Sequence, residues 1–312
     1  MTENTLARSG ITRSRGRRLR VQWSLLVMLL PGAVLVLIYH YGPLFGLSIA
    51  FQRYDIARGF FDQQWIGFDN FRYIFNYPNF WRVIWNTLYI SVMKWLAGMI
   101  VPIVVSILLN EMISDRPKRL IQTLVYLPHF ISWVVISGVF VDLLSPSNGA
   151  INNIIESFGG DPVYFLGRPD LFPYVLVVTD VWKSFGFGTI IYLAALSGVD
   201  PNHYEAANID GASRFQKIRH ITFPNLIPII VLVAILNLGN ILNAGFEQVF
   251  NMYNPLVYST GDIIDTLTYR MGIIEAQYDL ATTIGLFKSG ISLVMVSVSY
   301  YLAYRFAGYR IF

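Results

Sequence analysis

Cysteine is absent from this chain of 312 residues, and charged residues make up only 13% of it, against about 25% in an average soluble domain. Without cysteine the chain can form neither a disulfide nor a thiolate metal site. The four histidines are scattered without the spacing of a metal site. In their place the chain has 54% hydrophobic residues and a mean hydropathy of +0.50. This composition is typical of a membrane protein.

Motifs for catalysis are also missing. The sequence has no Gly-x-x-x-x-Gly-Lys-Ser/Thr loop for nucleotide phosphates and no nucleophile elbow. We therefore expect no enzyme activity and no cofactor in this chain. The net charge of +4 could suggest nucleic acid, but six arginines lie between Arg8 and Arg20, directly before an apolar run. That arrangement is typical of a cytoplasmic anchor, so we expect no nucleic-acid partner.

Six apolar runs are long enough to cross a bilayer. They cover residues 23–50, 86–110, 121–144, 171–197, 225–244 and 283–306. They are too long and too uniformly apolar for barrel strands, which predicts an all-α membrane protein with six transmembrane helices. The first run lacks a cleavage site for a signal peptide and is predicted to stay as a helix. We thus expect a basic arm at 1–22 and a membrane domain at 23–312.

Lysine and arginine counts predict the orientation. With both termini inside, 14 of the 23 fall in cytoplasmic segments, six in external segments and three within spans. Because cytoplasmic loops carry the excess of positive charge, this predicts a multi-pass membrane protein with both termini inside. It also places the polar segment 200–224 in the cytoplasm.

Local signals within that polar segment predict two short helices joined by a tight turn. Asp200 can cap a helix that has Pro201 at its first position. Gly211 can adopt the left-handed conformation that ends it. Ser213 and Gln216 then form a capping box for a second helix. On these signals alone, an ordinary solvated hairpin between two spans explains the segment.

The sequence pattern of the segment adds a resemblance. Glu-Ala-Ala, a Gly four residues later and Ile-x-Phe-Pro together resemble the coupling loop of binding-protein-dependent ABC importer permeases. Phe223 stands where the family usually has Leu. In that family the loop docks on a separate ATPase subunit, so the resemblance implies that role for the matching positions, which are Glu205, Ala206, Ala207, Gly211, Ile221 and Pro224.

The resemblance also implies a fold and partners. The fold is that of a type I ABC importer permease, which works by alternating access. The implied partners are a second homologous permease subunit, two cytoplasmic ATPase subunits that carry ATP and Mg²⁺, and an extracytoplasmic solute-binding protein. The competing interpretations are a permease for a non-sugar solute and a membrane protein with a structural or assembly role.

Two external segments resemble the saccharide-importing branch of these permeases. One reads Gly-Phe-Asp-Asn-Phe at 67–71, and the other covers 254–266. They imply that the cargo is an oligo- or polysaccharide. The alternative for their aromatic residues is an interfacial belt.

Polar residues inside predicted spans are costly and are candidates for a substrate path. Asn237, Asn240 and Asn243 recur every three residues, which predicts Asn237 and Asn240 on nearly one helix face. Amides suit sugar hydroxyls, and the pair matches in position an Asn-x-x-Asn pair with which maltose-type permeases contact sugar. Hydrogen bonding between packed helices explains the asparagines equally well on physics alone.

Charged residues in the spans raise the question of an acidic cargo. A buried lysine seeks an anion, so we expect Lys183, with the aromatic ring of Trp182 beside it, to meet the carboxylates of a uronate fragment. The alternative is that Asp180 already neutralises Lys183 and the cargo is uncharged. Lys94 and Lys288 lie toward predicted span ends, where extension of the side chain to the interface is expected.

Overall fold

The computed structural model describes residues 15–307, so the first part of the predicted arm at 1–22 lies outside the described residues. The chain divides between Ile49 and Ala50 into two compact units, each described by itself. The first contains helix α1, Arg15–Val36, followed by a π-helical turn, Leu37–Tyr41, and a 3₁₀ segment, Gly42–Phe51, that runs into the second unit. Residues 15–22 of the predicted arm are therefore already helical.

The described part of the second unit is mainly helical. It begins with a two-stranded antiparallel ribbon of β1, Gln52–Arg53, and β2, Gln64–Trp65, in which Gln52 faces Trp65. Its first α-helices in chain order are α2 Asp69–Phe75, α3 Phe80–Asn110, α4 Asp115–Tyr126, α5 Trp133–Leu143, α6 Ala150–Ser157, α7 Phe172–Ser197, α8 Pro201–Ile209, α9 Arg214–Lys217 and α10 Phe223–Leu238. Four more follow, α11 Phe246–Met252, α12 Tyr258–Gly261, α13 Ile264–Tyr269 and α14 Tyr278–Ala307.

The predicted all-α membrane fold is confirmed. Among the described residues five helices are long and apolar enough to cross a membrane, and a sixth span results if one bent pair counts as a single crossing. In the second unit only 11% to 33% of the most apolar window of each such helix is buried in the chain. The remaining apolar surface suits lipid or another membrane subunit.

The third predicted span is not one straight helix, which corrects the expectation for 121–144. Asp115–Phe130 and Trp133–Leu143 meet at a bend of 103°. Pro128 begins the break inside a 3₁₀ turn, where its missing N–H costs least. Ser132 then starts α5 as its cap, because its side chain accepts from a backbone N–H of the first turn.

Glycines of α7 let neighbouring helices approach closely. A Cβ added at Gly186 would lie 1.9 Å from the carbonyl O of Val125 in α4. At Gly188 it would lie 3.0 Å from Pro102 of α3. Small residues favour such packing in membranes, where burial of apolar surface from water does not drive helix association. Helix α7 is thus the axis against which α3 and α4 pack.

The fifth predicted span, 225–244, ends earlier than expected. Helix α10 stops at Leu238, and the chain then turns through bonds from Asn240 N to Asn237 O (3.0 Å) and from Asn243 N to Asn240 O (2.8 Å). The expectation that Asn237 and Asn240 share one helix face is therefore wrong. Asn237 lies in the last turn of the helix and Asn240 lies beyond it.

The segment between α10 and α14 is fixed to the start of α3. The amide of Asn86 donates to the carbonyl groups of Ser259 and Asp262, at 3.2 Å each. The hydroxyl of Thr87 accepts from the backbone N–H of Ile264 at 2.9 Å. These buried bonds satisfy backbone groups that the short helices α12 and α13 leave unpaired.

Candidate functional site

The polar hairpin, residues 200–224, has the predicted local structure. Asp200 caps α8, since its side chain accepts from the backbone N–H of Asn202 at 2.9 Å. That bond lowers the pKa of Asp200. Pro201 occupies the first helical position. The predicted start of the first helix is confirmed.

The turn of the polar hairpin is centred on Gly211, whose φ of +73° lies in the left-handed region. The N–H of Gly211 donates to Asn208 O at 3.2 Å, and the N–H of Ala212 donates to Ala207 O at 2.9 Å. This pair of bonds is the Schellman arrangement that ends many helices. The predicted conformation of Gly211 is confirmed.

The second helix of the polar hairpin starts with the predicted capping box. Gln216 N donates to the hydroxyl of Ser213 at 3.3 Å, and Ser213 N donates to the side chain of Gln216 at 2.7 Å. Lys217 also donates to the side chain of Asn208 at 2.7 Å, which joins α9 to α8. The two short helices therefore hold each other in a fixed arrangement.

The outer surface of the polar hairpin combines small, apolar and acidic side chains. Glu205 and Ala206 are exposed and Ala207 is half-buried. Ile209 is 87% exposed and Phe215 is 71% exposed. Sequence reasoning missed these two residues, although apolar side chains within an otherwise polar loop were a usable signal.

The polar hairpin is continuous with a long helix. Ile221 is half-buried in a π-helical turn, Ile218–Thr222, and Pro224 follows in the first turn of α10. The hydroxyl groups of Tyr204 and of the buried Thr222 lie 3.0 Å apart, which ties α8 to this turn. The helical stretch Arg214–Leu238 has 25 residues, or about 37 Å at 1.5 Å per residue. It carries the hairpin at one end and Asn237 at the other.

A cavity of about 410 Å³, the inner cavity, lies where α3, α7 and the end of α10 meet. Asn237 and Asn240 both line it, so the tertiary structure brings the predicted pair together although they share no helix face. The other lining residues are Ser91, Lys94, Trp95, Gly98, Met99, Asp180, Ser184, Ile241, Asn243 and Gly245.

Lys94 is the cation of the inner cavity. Its side chain is 8% exposed, and Nζ donates to Ala244 O at 2.6 Å and to Oε1 of Gln248. The Oδ1 of Asp180 is 3.8 Å away, which is a charge contact but too long for a hydrogen bond. An ammonium has three donors, so one remains for a ligand. The expectation that Lys94 extends to the membrane interface is wrong.

A buried network holds Lys94 in position. Gln248 is fully buried, and its Nε2 donates to Leu176 O at 2.8 Å and to Thr179 Oγ1 at 2.7 Å. Beside it Gly245 has a φ of +87°, and an added Cβ there would lie 3.1 Å from Lys94 Nζ. The network joins α3, α7 and α11, which are far apart in sequence.

Two buried polar atoms of the inner cavity have no hydrogen-bond partner within residues 15–307. They are Oγ of Ser91 and Nε1 of Trp95. An unpaired buried donor costs about 1–3 kcal/mol, so each of these atoms lacks a stabilising hydrogen bond. Ser91, Lys94, Trp95 and Gly98 recur at i, i+3, i+4 and i+7 on α3. This spacing was the sequence signal that could have found the wall of the cavity.

Lys183 and Trp182 lie elsewhere and are not among the residues that line the inner cavity in the described part of the chain. Lys183 donates to the carbonyl O of His129 at 2.8 Å and lies 5.5 Å from the ring of Trp133. Both partners belong to the bend between α4 and α5. The proposed pairing of Asp180 with Lys183 is wrong, because Asp180 contacts Lys94 instead.

Comparison with known proteins gives a family and close relatives. The family described as binding-protein-dependent transport system inner membrane component matches residues 98–308. Protein LplB of Bacillus subtilis is 40% identical over 287 residues, covering 92% of this chain and 90% of LplB. The polygalacturonan/rhamnogalacturonan transport system permease protein YteP of the same organism is 37% identical, covering 90% of this chain and 88% of YteP.

A solved structure has the same fold. It is the crystal structure of a bacterial ABC transporter involved in the import of the acidic polysaccharide alginate. One of its chains superposes with a TM-score of 0.85 at 40% identity, covering 93% of this chain and 98% of that one. A second structure of a bacterial alginate ABC transporter, in complex with a periplasmic protein that carries an alginate pentasaccharide, matches with the same TM-score at 39% identity.

Proposed function

The chain belongs to the binding-protein-dependent transport system inner membrane components, and from this premise we propose that it imports an acidic oligosaccharide, such as a uronate fragment, through the inner cavity. It is a multi-pass permease subunit of the inner membrane. It works beside a second, similar permease, two cytoplasmic ATPase subunits that hold ATP and Mg²⁺, and an extracytoplasmic binding protein that delivers the saccharide.

The observation that carries the proposal is the set of polar groups in the inner cavity. Asn237 and Asn240 offer amide donors and acceptors for sugar hydroxyls. Ser91 and Trp95 add polar atoms without partners in the described chain. A volume of about 410 Å³ is in the ordinary range for small-molecule sites, about 300–1,000 Å³. A saccharide in the cavity would bond to the two amides directly, and a small shift of Ser91 or Trp95 would let it supply the partner that each of them lacks.

Charge in the cavity supports an acidic cargo. Within residues 15–307 the one carboxylate in charge contact with Lys94 is that of Asp180, at 3.8 Å, which is too far for a hydrogen bond to the remaining donor. A uronate carboxylate would give Lys94 a true charge-assisted hydrogen bond, which is about twice as strong as a neutral one. One structural neighbour is a transporter for the acidic polysaccharide alginate, and YteP is named for polygalacturonan/rhamnogalacturonan. Both names agree with this assignment.

The polar hairpin supplies the coupling to ATP hydrolysis. Its small residues, Ala206 and Ala207, allow close approach of an ATPase subunit, and Glu205 offers a charge for a basic partner. Ile209 and Phe215 add exposed apolar area for that contact. Because Arg214–Leu238 is helical without a break, a displacement of the hairpin shifts the end of α10 at the inner cavity.

This coupling needs a cytoplasmic hairpin and both termini inside. Reporter fusions after Asp115 and Ser213 are expected to behave as cytoplasmic, and fusions at Gln64, Gly160 and Asp262 as external. A reversed signal at Ser213 would contradict the orientation, since the hairpin would then face away from the ATPase.

The cargo is tested with the complete importer in proteoliposomes, by ATPase stimulation with binding protein loaded with uronate or neutral oligosaccharides of matched length. Wild type is expected to prefer the uronate. Lys94→Met is expected to lower the response to the uronate about tenfold, since a hydrogen bond to a charged group contributes about 1.5–3 kcal/mol. Asp180→Asn is expected to raise the response to the uronate, because the carboxylate that competes for Lys94 is removed.

Lys183→Met is the matched control, because it removes another buried lysine that lies outside the inner cavity. It is expected to leave the ratio of uronate to neutral response unchanged. Equal stimulation of wild type by neutral sugars would remove the acidic cargo. Loss of the preference in Lys183→Met alone would instead overturn the assignment of the carboxylate to Lys94. Stimulation by no saccharide at all would contradict saccharide import itself.

A further inference from the structure

A second cavity of about 550 Å³ is lined in part by the start of α14. We call it the outer cavity, because the proposed orientation with both termini inside puts the start of α14 toward the outside. Tyr278, the first residue of α14, lines the outer cavity. Lys94 of the inner cavity lies about 21 Å along α3 from Phe80, the first residue of α3. The outer cavity is lined by Phe246, Asp265, Thr268, Tyr269, Gly272, Ile273, Tyr278, Ala281 and Thr282.

Consecutive residues of the chain line the two cavities. Asn243 and Gly245 line the inner cavity, and Phe246, the next residue, lines the outer one. The left-handed φ of Gly245 turns the chain at this point. The walls of the two cavities are therefore joined at the peptide bond between Gly245 and Phe246.

Aromatic rings form part of the wall of the outer cavity. The rings of Phe246 and Tyr269 lie 5.5 Å apart, and Phe250 packs behind them at 5.3 Å from Phe246 and 4.8 Å from Tyr269. Tyr278 is held against Tyr54 at 5.6 Å. Each ring is braced by another, so its orientation is fixed and its free face can stack on the apolar face of a sugar ring.

Acceptors and one ion pair complete the wall. Thr268 and Thr282 donate their hydroxyl protons to Ile264 O (2.8 Å) and Tyr278 O (2.6 Å), which leaves the oxygen lone pairs for outside donors. Asp265 accepts from Lys288 through Oδ1 at 2.5 Å, so Oδ2 is available for a hydroxyl. This pairing also corrects the expectation that Lys288 extends to the interface.

We propose that the outer cavity is a second saccharide subsite, which holds a further sugar unit of the same oligosaccharide while the inner cavity holds the first. The inference rests on the proposed import of an oligosaccharide. Ring stacking on Phe246, Tyr269 and Tyr278 and hydroxyl donation to Asp265, Thr268 and Thr282 recognise the unit. Cargo longer than the inner cavity gains affinity from this subsite, and a disaccharide does not.

The test is a comparison of cargo lengths in the complete importer. The concentration of loaded binding protein that gives half-maximal ATPase stimulation is measured with a uronate disaccharide and a uronate tetrasaccharide. Tyr269→Ala is expected to raise this concentration roughly threefold to tenfold for the tetrasaccharide, the range for loss of one stacking contact. It is expected to leave the disaccharide value unchanged. Tyr269→Phe, which keeps the ring, is the matched control.

The possible outcomes separate the second subsite from the proposed function. An equal change for both lengths, or no change for either, overturns the second subsite while the importer stands. An importer that responds to no saccharide in wild type contradicts the proposed function instead. Should Tyr269→Ala fail to assemble, Thr282→Val decides by the same length comparison, because it removes one acceptor at the cavity and keeps the side-chain shape.

Discussion

The polar hairpin and the inner cavity are built by different kinds of contact. In the hairpin, the bonds that define the caps and the turn join residues no more than a few positions apart, and the longest tie, between Tyr204 and Thr222, covers 18 positions. In the cavity, Lys94 binds groups 150 and 154 positions away. Most residues of the hairpin are exposed, whereas the cavity network is buried. Changes in the hairpin should therefore affect docking alone, and changes in the network should affect the fold.

The largest effect is expected from charge reversal on the hairpin surface. Glu205→Lys would turn an attraction to a basic partner into repulsion, and like charges across an interface cost several kcal/mol. We expect a loss of transport of roughly 100-fold or more, measured as uptake into proteoliposomes. Glu205→Gln, which only removes the charge, is the control and should lose much less. Normal uptake by Glu205→Lys would contradict the docking role.

The next effect concerns the buried network. Gln248→Leu would leave Lys94, Leu176 O and Thr179 each short of a partner, and one such loss costs about 1–3 kcal/mol. We expect a destabilisation of about 3 kcal/mol or more, seen as a lower Tm of the purified permease. The exposed neighbour offers a matched control, Glu247→Leu, with little expected change. Equal Tm values for the two variants would show that the network does not stabilise the fold.

A smaller effect is expected at the turn of the hairpin. Gly211→Val would force a branched side chain into a left-handed conformation, at about 1–2 kcal/mol. The physical reason is backbone strain alone, since an added Cβ meets nothing within 4 Å. We expect saccharide-stimulated ATPase activity to fall about tenfold. Gly211→Asn should retain most of it, because asparagine tolerates this conformation. If valine and asparagine behave alike, the left-handed turn is not what coupling requires.

The smallest effect is expected from the capping box. Ser213→Ala removes the acceptor for Gln216 N and should cost the second helix about 1 kcal/mol. Uptake is expected to fall by a few fold, while the Tm of the whole permease stays unchanged because the hairpin is exposed. Ser213→Thr keeps the cap and is the control. A Tm shift as large as that of Gln248→Leu would contradict the separation between the two regions.

The sequence by itself determined the all-α membrane fold and the local structure of the hairpin. Asp200, Gly211 and Ser213 have the predicted conformations because a cap or a left-handed turn depends on bonds within about one helical turn. Hydropathy likewise located the spans, since a run of apolar residues needs no partner to prefer the bilayer. The family pattern in the hairpin also led to the correct family.

Only the tertiary structure decided which buried polar groups meet. Asn240 lies beyond the end of α10, and Lys94 is the cation of the inner cavity. Lys183 donates to the carbonyl O of His129 at the bend of the third span. The partner of a buried charge is whichever donor or acceptor packing brings within about 3 Å. For Lys94 that partner is Gln248 of α11, 154 positions along the chain. The residues next to Lys94 in the sequence do not indicate a partner so far away.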